Sequence, residues 1–220
     1  GPTAVLYNSA DTNVFSPRVG FDRIDHMPVL LAAGSHNDAY RAKIAIEALG
    51  ILRRRGVTAK LVVAGRQVWD PDAEKQARDW AATSGVADLV TFSGTYTQEK
   101  APWLFREADV LVHLQVNDSC PRLVVEAMAC GVPVVYSATG GTPELVGEEA
   151  GYGIPGDEDF ETIRPPSGED VADGLVHVLA RHGTFARMAR QRAVRFFSAR
   201  DWVDAHVHIF ESLANGEEKA

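Results

Sequence analysis

Short runs of apolar residues recur along the chain and alternate with stretches of helical periodicity. The runs cover residues 5–7, 28–33, 61–64, 89–92, 110–114 and 132–136, and they are mostly continuous. A strand in a parallel sheet is covered on both faces, so its sequence does not alternate between apolar and polar residues. The runs therefore predict parallel strands.

Helical segments separate these runs. Apolar spacing and end signals place helices at residues 40–55, 72–84, 98–108 and 121–129, and three more at 171–181, 185–197 and 201–213. Residues 155–169 are rich in Gly, Pro and acidic residues and are predicted to form a surface loop. The alternation favours an α/β fold, a Rossmann-like doubly wound parallel sheet with right-handed crossovers and C-terminal helices.

Charge and cysteine content exclude some functions. The chain has 220 residues and a formal net charge of -8. This charge argues against nucleic-acid binding, which depends on basic residues that neutralise phosphates. The two cysteines, Cys120 and Cys130, have no metal-ligand spacing and indicate a reducing, cytoplasmic setting. No apolar run approaches membrane-spanning length, so we expect no transmembrane segment.

The segment NDSCPRLVVEAMACGVPVVYS, residues 117–137, carries most of the chemistry. It begins in a loop predicted to lie at the carboxyl end of a core strand, where open α/β sheets bind ligands. Asp118 or Ser119 is a predicted N-cap, and Pro121 suits the first helical turn. The N–H groups of residues 122–124, aided by the helix dipole, would then form a site for an anion such as a diphosphate.

Two carboxylates, Asp118 and Glu126, lie eight positions apart in this segment. Glu126 is placed to accept hydrogen bonds from a vicinal diol such as a ribose, and Asp118 from hydroxyl groups beyond the diphosphate. Asp118 as a simple N-cap and Glu126 as a solvated helix residue are the alternatives. Because Glu126 lies in the apolar stretch LVVEAMA, it needs a partner if it is buried. Spacing alone leaves both interpretations open.

Several stretches together resemble the C-terminal, donor-binding domain of GT-B glycosyltransferases of family 4. DSCPRLVVEAMACGVPVV resembles the family's Glu-x7-Glu motif, and YNSADTNVFSP resembles its interdomain stretch. VTFSGTYTQEKAPWLFREADVLVH, GGTPELV and FFSARDWVDAHVHIFESL also match in the family's order. The resemblance implies residues 1–17 as an interdomain-like lead-in, 18–200 as the nucleotide-sugar-binding domain, and 201–220 as a closing helix with a frayed tail.

The resemblance implies a retaining transfer of a hexose from a UDP-, GDP- or ADP-linked sugar, with no cofactor and no required metal. It makes Asp118 the candidate catalytic residue, contacting sugar hydroxyls, and it assigns the ribose to Glu126. The helix N-terminus would hold phosphate and sugar, and Thr95 and Tyr96 would border the base. The implied donor-binding residues are Gly34, Ser35, Arg41, Thr95, Tyr96, Ser119, Cys120, Pro121, Arg122, Leu123, Val124 and Glu126.

The chain departs from the family pattern at the predicted diphosphate site. The first carboxylate of the motif is Asp118, which is one methylene shorter than Glu. The family's G-R-x4-K-G stretch corresponds to GSHNDAYRAK, so Ser35 and Tyr40 replace two cations, with Arg41 as a candidate substitute. These changes keep open a non-catalytic nucleotide-binding or protein-interaction module. His36, in the same loop, is a possible ligand contact, whereas His113 is predicted to pack in the core.

Transfer in this family also requires an N-terminal acceptor-binding domain, which the chain does not resemble. We therefore expect the isolated chain to bind a nucleotide sugar but to transfer little or none of it. The full enzyme is expected in the cytoplasm, with attachment to a membrane surface left open. Base, sugar and acceptor are not predicted.

Overall fold

The computed structural model describes residues 4–215 and contains one six-stranded parallel sheet with strand order β3-β2-β1-β4-β5-β6. The strands are β1 (Val29–Ala33), β2 (Lys60–Ala64), β3 (Val90–Gly94), β4 (Val110–His113), β5 (Val134–Ala138) and β6 (Gly151–Pro155). The helices are α1 (Ala39–Arg54), α2 (Ala73–Thr83), α3 (Ala101–Arg106), α4 (Arg122–Ala129), α5 (Thr142–Val146), α6 (Gly168–Ala180), α7 (His182–Phe196) and α8 (Ala199–Ala214). The predicted Rossmann-like, doubly wound α/β fold is confirmed.

Two apolar layers cover the sheet. Helices α1, α2 and α6 pack on one face, around buried residues such as Leu49, Leu52 and Leu175. Helices α3, α4, α5 and α7 pack on the other face, around Phe105 and Met128. All four residues of β4 are buried, which explains why that strand is apolar almost throughout.

The strand order reverses between β1 and β4, the two central strands. Helix α1, which follows β1, and helix α4, which follows β4, lie on opposite faces of the sheet. The loops that lead into these helices therefore diverge and leave a crevice at the carboxyl edge. A crevice of this kind is where doubly wound sheets bind ligands.

Two regions differ from the sequence-based predictions. Residues 5–7 do not form a strand; Val5 is exposed, and no strand lies beside this segment in the described part of the chain. Strand β6 and helix α5 were not predicted as elements. β6 reads Gly-Tyr-Gly-Ile-Pro, a composition typical of turns, and α5 has only five residues, too few to show helical periodicity.

A segment near the start of the described chain pairs with the residue that precedes α8. Ala10 pairs with Ser198, and its N–H donates to the Phe197 carbonyl at 2.9 Å. Helix α8 follows directly and keeps most of its side chains exposed. Residues 1–3 of the predicted lead-in and the predicted frayed tail at 216–220 lie outside the described residues, and the domain boundaries stay predictions.

Candidate functional site

The loops after β1, β2 and β3 are joined by hydrogen bonds that extend the sheet beyond its strands. The Gly34 N–H donates to the Ala64 carbonyl at 3.1 Å, the His36 N–H to the Arg66 carbonyl at 2.9 Å, and the Gly65 N–H to the Gly94 carbonyl at 2.7 Å. These bonds fix the backbone on the carboxyl side of the sheet.

The hydrogen-bonded residues 34–36, 64–66 and 94 form a platform at the carboxyl edge of the sheet. Gly65 is the residue of this platform whose backbone most closely approaches Gly34. A Cβ atom at this position would lie 1.9 Å from the Gly34 carbonyl oxygen, and the φ angle of Gly65 is +110°. Both facts restrict the position to glycine.

A cleft of about 410 Å³ lies on the platform and is lined by Gly34, Ser35, Gly65, Arg66, Thr95 and Tyr96. Four of these residues, Gly34, Ser35, Thr95 and Tyr96, were predicted as donor-binding residues, and the structure brings them together. Gly65 and Arg66 were missed. The sequence signal was available, since Gly65 and Arg66 follow directly on an apolar run predicted to be a strand.

Glu126 is buried in α4 and is held by two side chains. The Gln98 amide donates to Oε1 of Glu126 at 2.8 Å, and Nε of Arg122 lies 3.0 Å from the same oxygen. Burial raises the pKa of the Glu126 carboxyl, whereas Gln98 and Arg122 act in the opposite direction. Among residues 4–215 no hydrogen-bond donor reaches Oε2. Glu126 is therefore not a solvated helix residue, and one of its oxygens has no donor among these residues. Glu126 is 5% exposed and does not itself line the 410 Å³ cleft.

Gln98 was missed as a site residue. It lies in the turn before α3 and reaches α4 only through the tertiary fold. A single glutamine in a polar turn carries no sequence signal for this contact.

Asp118 lies beside a buried histidine. Nε2 of His113 is 3.3 Å from Oδ2 of Asp118, within ion-pair distance but without the alignment of a hydrogen bond. Burial alone would raise the pKa of Asp118, but His113, Arg41 and the Cys120 N–H outweigh it and lower the pKa below its usual value. Burial lowers the pKa of His113. Asp118 is thus favoured in its ionised form, and His113, as predicted, is packed in the core.

The prediction that Asp118 or Ser119 caps α4 is wrong. Pro121 occupies the N-cap position, and no side chain caps the helix. The Asp118 carboxylate instead faces His113 and the Cys120 N–H. The contacts of this carboxylate therefore go to the end of β4 and to its own loop, and not to the first turn of α4.

Only part of the predicted anion site at the start of α4 is open. The Val124 N–H donates to the Pro121 carbonyl at 3.0 Å, so it is not available to a ligand. In the described part of the chain, the N–H groups of Arg122 and Leu123 have no hydrogen-bond partner. The Leu123 side chain contacts Gly34 across the crevice, so α4 begins close to the β1 loop.

The residues just before α4 are tied to neighbouring segments. The Cys120 carbonyl accepts a hydrogen bond of 2.6 Å from the Asn8 side chain, and the Cys120 Sγ accepts one of 3.3 Å from the Asn8 N–H. The Ser119 carbonyl packs against Gly141, and Pro121 is buried. Their role is to hold the loop in place; the structure does not direct the Cys120 side chain into the cleft.

Arg41 lies behind the platform instead of reaching into the cleft. Its guanidinium donates to the carbonyls of Ser35, at 2.9 Å, and Ala33, at 3.3 Å, and the residue is 8% exposed. Tyr40, at the position of the family's Lys, accepts a hydrogen bond of 3.2 Å from the Val116 N–H. Both side chains thus support backbone segments beside the site.

His36 packs under the cleft. It is 1% exposed, and its Nε2 lies 3.2 Å from the Ala64 carbonyl, to which it is placed to donate. Burial, with the nearby charge of Arg41, lowers its pKa to about 4. The structure therefore places His36 with the supporting residues and not with those that line the cleft.

A larger cavity, of about 750 Å³, lies elsewhere, at the outer edge of β6. Its walls include Tyr136, Tyr152, His177 and Phe185, and none of the predicted site residues lines it. Within residues 4–215 no three His, Cys, Asp or Glu side chains come together as a metal site would need. No described helix combines the length and apolar character required to cross a membrane.

The chain is similar to known glycosyltransferases in sequence and in structure. The family model described as glycosyl transferases group 1 matches residues 21–163. A D-inositol 3-phosphate glycosyltransferase of Mycobacteroides abscessus is 34% identical over 138 residues, which cover 62% of the chain and 29% of that protein. The chain spans about a third of the length of the curated relatives it matches.

Solved structures share the fold. Anabaena HepE in complex with UDP superposes with a TM-score of 0.73 at 22% identity, over 97% of the chain and 57% of HepE. The C-terminal domain of a group 1 family glycosyl transferase, LpcC, from Francisella tularensis superposes with a TM-score of 0.71 at 18% identity. That match covers 86% of the chain and 99% of the LpcC domain.

Proposed function

The chain belongs to the group 1 glycosyl transferase family, and we propose that it binds the nucleotide diphosphate sugar donor of a retaining, family 4-like GT-B enzyme that transfers a hexose. The half-satisfied carboxylate of Glu126 is the observation that carries this proposal. Oε1 is fixed by Gln98 and Arg122, while Oε2 has no donor among the described residues. A buried carboxylate oxygen in a ligand crevice is suited to accept hydrogen bonds from the hydroxyl groups of a ribose.

Other residues around the crevice bind the remaining parts of the donor. Asp118, ionised and adjacent to the crevice, accepts hydrogen bonds from the sugar hydroxyls and serves as the catalytic carboxylate. The N–H groups of Arg122 and Leu123 bind the diphosphate at the start of α4. Thr95 and Tyr96 border the base. Because HepE was crystallised with UDP, UDP and UDP-sugars are the first ligands to test.

Transfer itself requires a second, acceptor-binding domain, so we expect the isolated chain to bind the donor with little or no transfer. No metal or cofactor is needed in this proposal, and the enzyme works in the cytoplasm. Robust transfer by these 220 residues alone would contradict the need for a partner domain.

Calorimetric titration with UDP, GDP, ADP and their sugars tests the proposal. We expect saturable binding of one series and a roughly 10- to 150-fold loss of affinity in Glu126→Ala, the effect of losing charged hydrogen bonds worth about 1.5–3 kcal/mol. The matched control is Glu99→Ala, which removes an exposed carboxylate next to Gln98.

Two results would refute the donor site: absence of saturable binding to any nucleotide, or binding that Glu126→Ala leaves unchanged. The Glu126→Gln variant keeps the size of the side chain and separates a loss of charge from a loss of folding. A protein that folds but binds no nucleotide would favour a non-catalytic interaction module.

A further inference from the structure

Arg66 occupies a distinctive position on the cleft wall. The register that pairs Ala33 with Ala64 continues to the pair His36 and Gln67, so Arg66 is level with Ser35 on the neighbouring loop. Both residues are exposed and both line the 410 Å³ cleft. The hydrogen bonds between these loops hold the backbone at Arg66, because its carbonyl accepts from the His36 N–H at 2.9 Å.

The other cations near the cleft are already engaged. Arg41 donates to the Ser35 and Ala33 carbonyls from behind the platform, and Arg122 lies 3.0 Å from Glu126. Over residues 4–215, the Arg66 guanidinium has neither a hydrogen-bond acceptor nor an ion-pair partner. Of these three arginines, Arg66 is the one whose charge has no partner within the described part of the chain.

An anionic ligand needs such a charge at this place. Asp118, in the loop after β4, and Glu126, in α4, belong to the β4 side of the crevice between β1 and β4, and the chain carries a net charge of -8. A diphosphate close to two carboxylates is repelled unless a cation compensates. An exposed guanidinium on a fixed backbone can donate two parallel hydrogen bonds to phosphate oxygens.

We propose that Arg66 binds the diphosphate of the nucleotide donor, with Ser35 as its neighbour on the adjacent loop. This inference rests on the proposed donor site and adds a phosphate-binding residue to it. The ligand class is a nucleoside diphosphate or its sugar ester. Arg66 acts by charge and hydrogen bonding, whereas Thr95 and Tyr96, which line the same cleft, border the base and Glu126 binds the ribose.

A comparison of UDP with uridine tests this role. Titrations of the chain and of Arg66→Gln with both ligands should show roughly a 10-fold or greater loss of UDP affinity in the variant, as expected for a lost charge-assisted hydrogen bond. Uridine, which lacks phosphate, should bind the two proteins equally. Arg200→Gln, which removes an exposed arginine on α8, is the matched control and should leave both affinities unchanged.

A relocated charge provides a rescue experiment. Because Ser35 and Arg66 are level, the double variant Ser35→Arg/Arg66→Gln should recover part of the UDP affinity. Equal weakening of UDP and uridine in Arg66→Gln would overturn the proposal, since it would place Arg66 on the base. Unchanged UDP affinity would also overturn it.

Two patterns of binding results separate the role of Arg66 from the existence of the donor site. If Glu126→Ala weakens both uridine and UDP while Arg66→Gln weakens neither, the donor site stands and the role of Arg66 falls. If the unmodified chain binds neither ligand, nor GDP or ADP, the donor site falls and the Arg66 proposal falls with it.

Discussion

The side-chain amide of Gln98 donates a hydrogen bond of 2.8 Å to Oε1 of Glu126. The two residues lie 28 positions apart, one in the turn before α3 and the other in α4. The bond stabilises the ionised carboxylate, since burial alone would shift the equilibrium further towards the protonated form. Gln98 therefore contributes both to the charge of Glu126 and to its orientation.

Replacing Gln98 should make nucleotide binding more sensitive to acid. Glu126 accepts hydrogen bonds from a ribose in its ionised form, so affinity falls as the pH drops through its pKa. Gln98→Ala removes a group that lowers this pKa, so the loss of UDP affinity should begin at a higher pH than in the unmodified chain. We expect roughly 10-fold weaker binding at pH 5 and a smaller deficit at pH 8, measured by calorimetry.

Glu99→Ala is the control for Gln98→Ala, because it alters the same turn without touching Glu126. A parallel fall in affinity at every pH would show that Gln98 acts on the ligand or the fold and not through the ionisation of Glu126.

Asp109 should prove essential for stability but not for nucleotide binding. It is 1% exposed at the amino end of β4 and accepts hydrogen bonds from Arg18 at 2.7 Å and from the Val29 N–H at 2.8 Å; His26 lies at 3.0 Å. Asp109→Ala leaves these donors without an acceptor, and we expect a loss of about 3–5 kcal/mol in the free energy of unfolding, measured by urea denaturation.

The control for this change is Asp25→Ala, which removes the exposed carboxylate on the other side of His26 and should leave the free energy of unfolding nearly unchanged. UDP affinity of the folded Asp109→Ala protein should be unchanged, since Asp109 lies at the opposite end of β4 from the cleft. A similar cost for both variants would show that burial of Asp109 is not what makes it important.

The fold could be predicted from the sequence because buried strands and helices have recognisable patterns of apolar residues. Core strands such as β4 are apolar over almost their whole length, and this property identifies them without reference to the rest of the chain. Strand β6 lacks a continuous apolar run, since Gly151 and Gly153 make its sequence similar to that of a turn. Its identity as a strand depends on pairing with β5, which only the folded chain supplies.

The site could be predicted in outline but not in its contacts. Glu126 was a candidate because a carboxylate in an apolar helix needs a partner, whereas that partner, Gln98, is distant in sequence. Asp118 or Ser119 was predicted to cap α4, but the contact between Asp118 and His113 depends on the position of a core strand. Arg66 was missed although it directly follows a predicted strand and so belongs to the carboxyl edge of the sheet. Its alignment with Ser35 depends on the register between two loops, which only the folded chain supplies.

Gly65→Ala should destabilise the platform that carries the cleft. The new Cβ atom would lie 1.9 Å from the Gly34 carbonyl oxygen, and the backbone would have to keep a φ of +110°. We expect the free energy of unfolding to fall by about 1–3 kcal/mol or more. UDP should also bind more weakly, because the β1 and β2 loops separate.

Gly85→Ala separates backbone strain from the steric clash in this experiment. Gly85 also has a positive φ, of +71°, but nothing lies within 4 Å of its Cβ position, so only the strain of roughly 1–2 kcal/mol should remain. Equal losses for the two variants, with UDP affinity intact in both, would contradict a special role for the contact between Gly65 and Gly34.

His36 should make the protein less stable in mild acid. Its pKa is about 4 in the folded chain, against roughly 6.5 in an unfolded one. The unfolded chain therefore binds more protons between these values, so the stability contributed by neutral His36 is complete above about pH 6.5 and is lost as the pH falls towards 4. Between pH 7 and 4.5 the loss from this residue amounts to roughly 2 kcal/mol.

Urea denaturation of the chain and of His36→Gln at pH 7 and 4.5 measures this contribution as a difference, in which other titrating groups cancel. Gln keeps a donor for the Ala64 carbonyl but cannot be protonated in this range. The variant should therefore lose roughly 2 kcal/mol less than the unmodified chain on acidification. His208→Gln, an exposed replacement on α8, should behave like the unmodified chain. Identical losses in all three proteins would mean that His36 takes up its proton without unfolding, through local opening of the β1 loop.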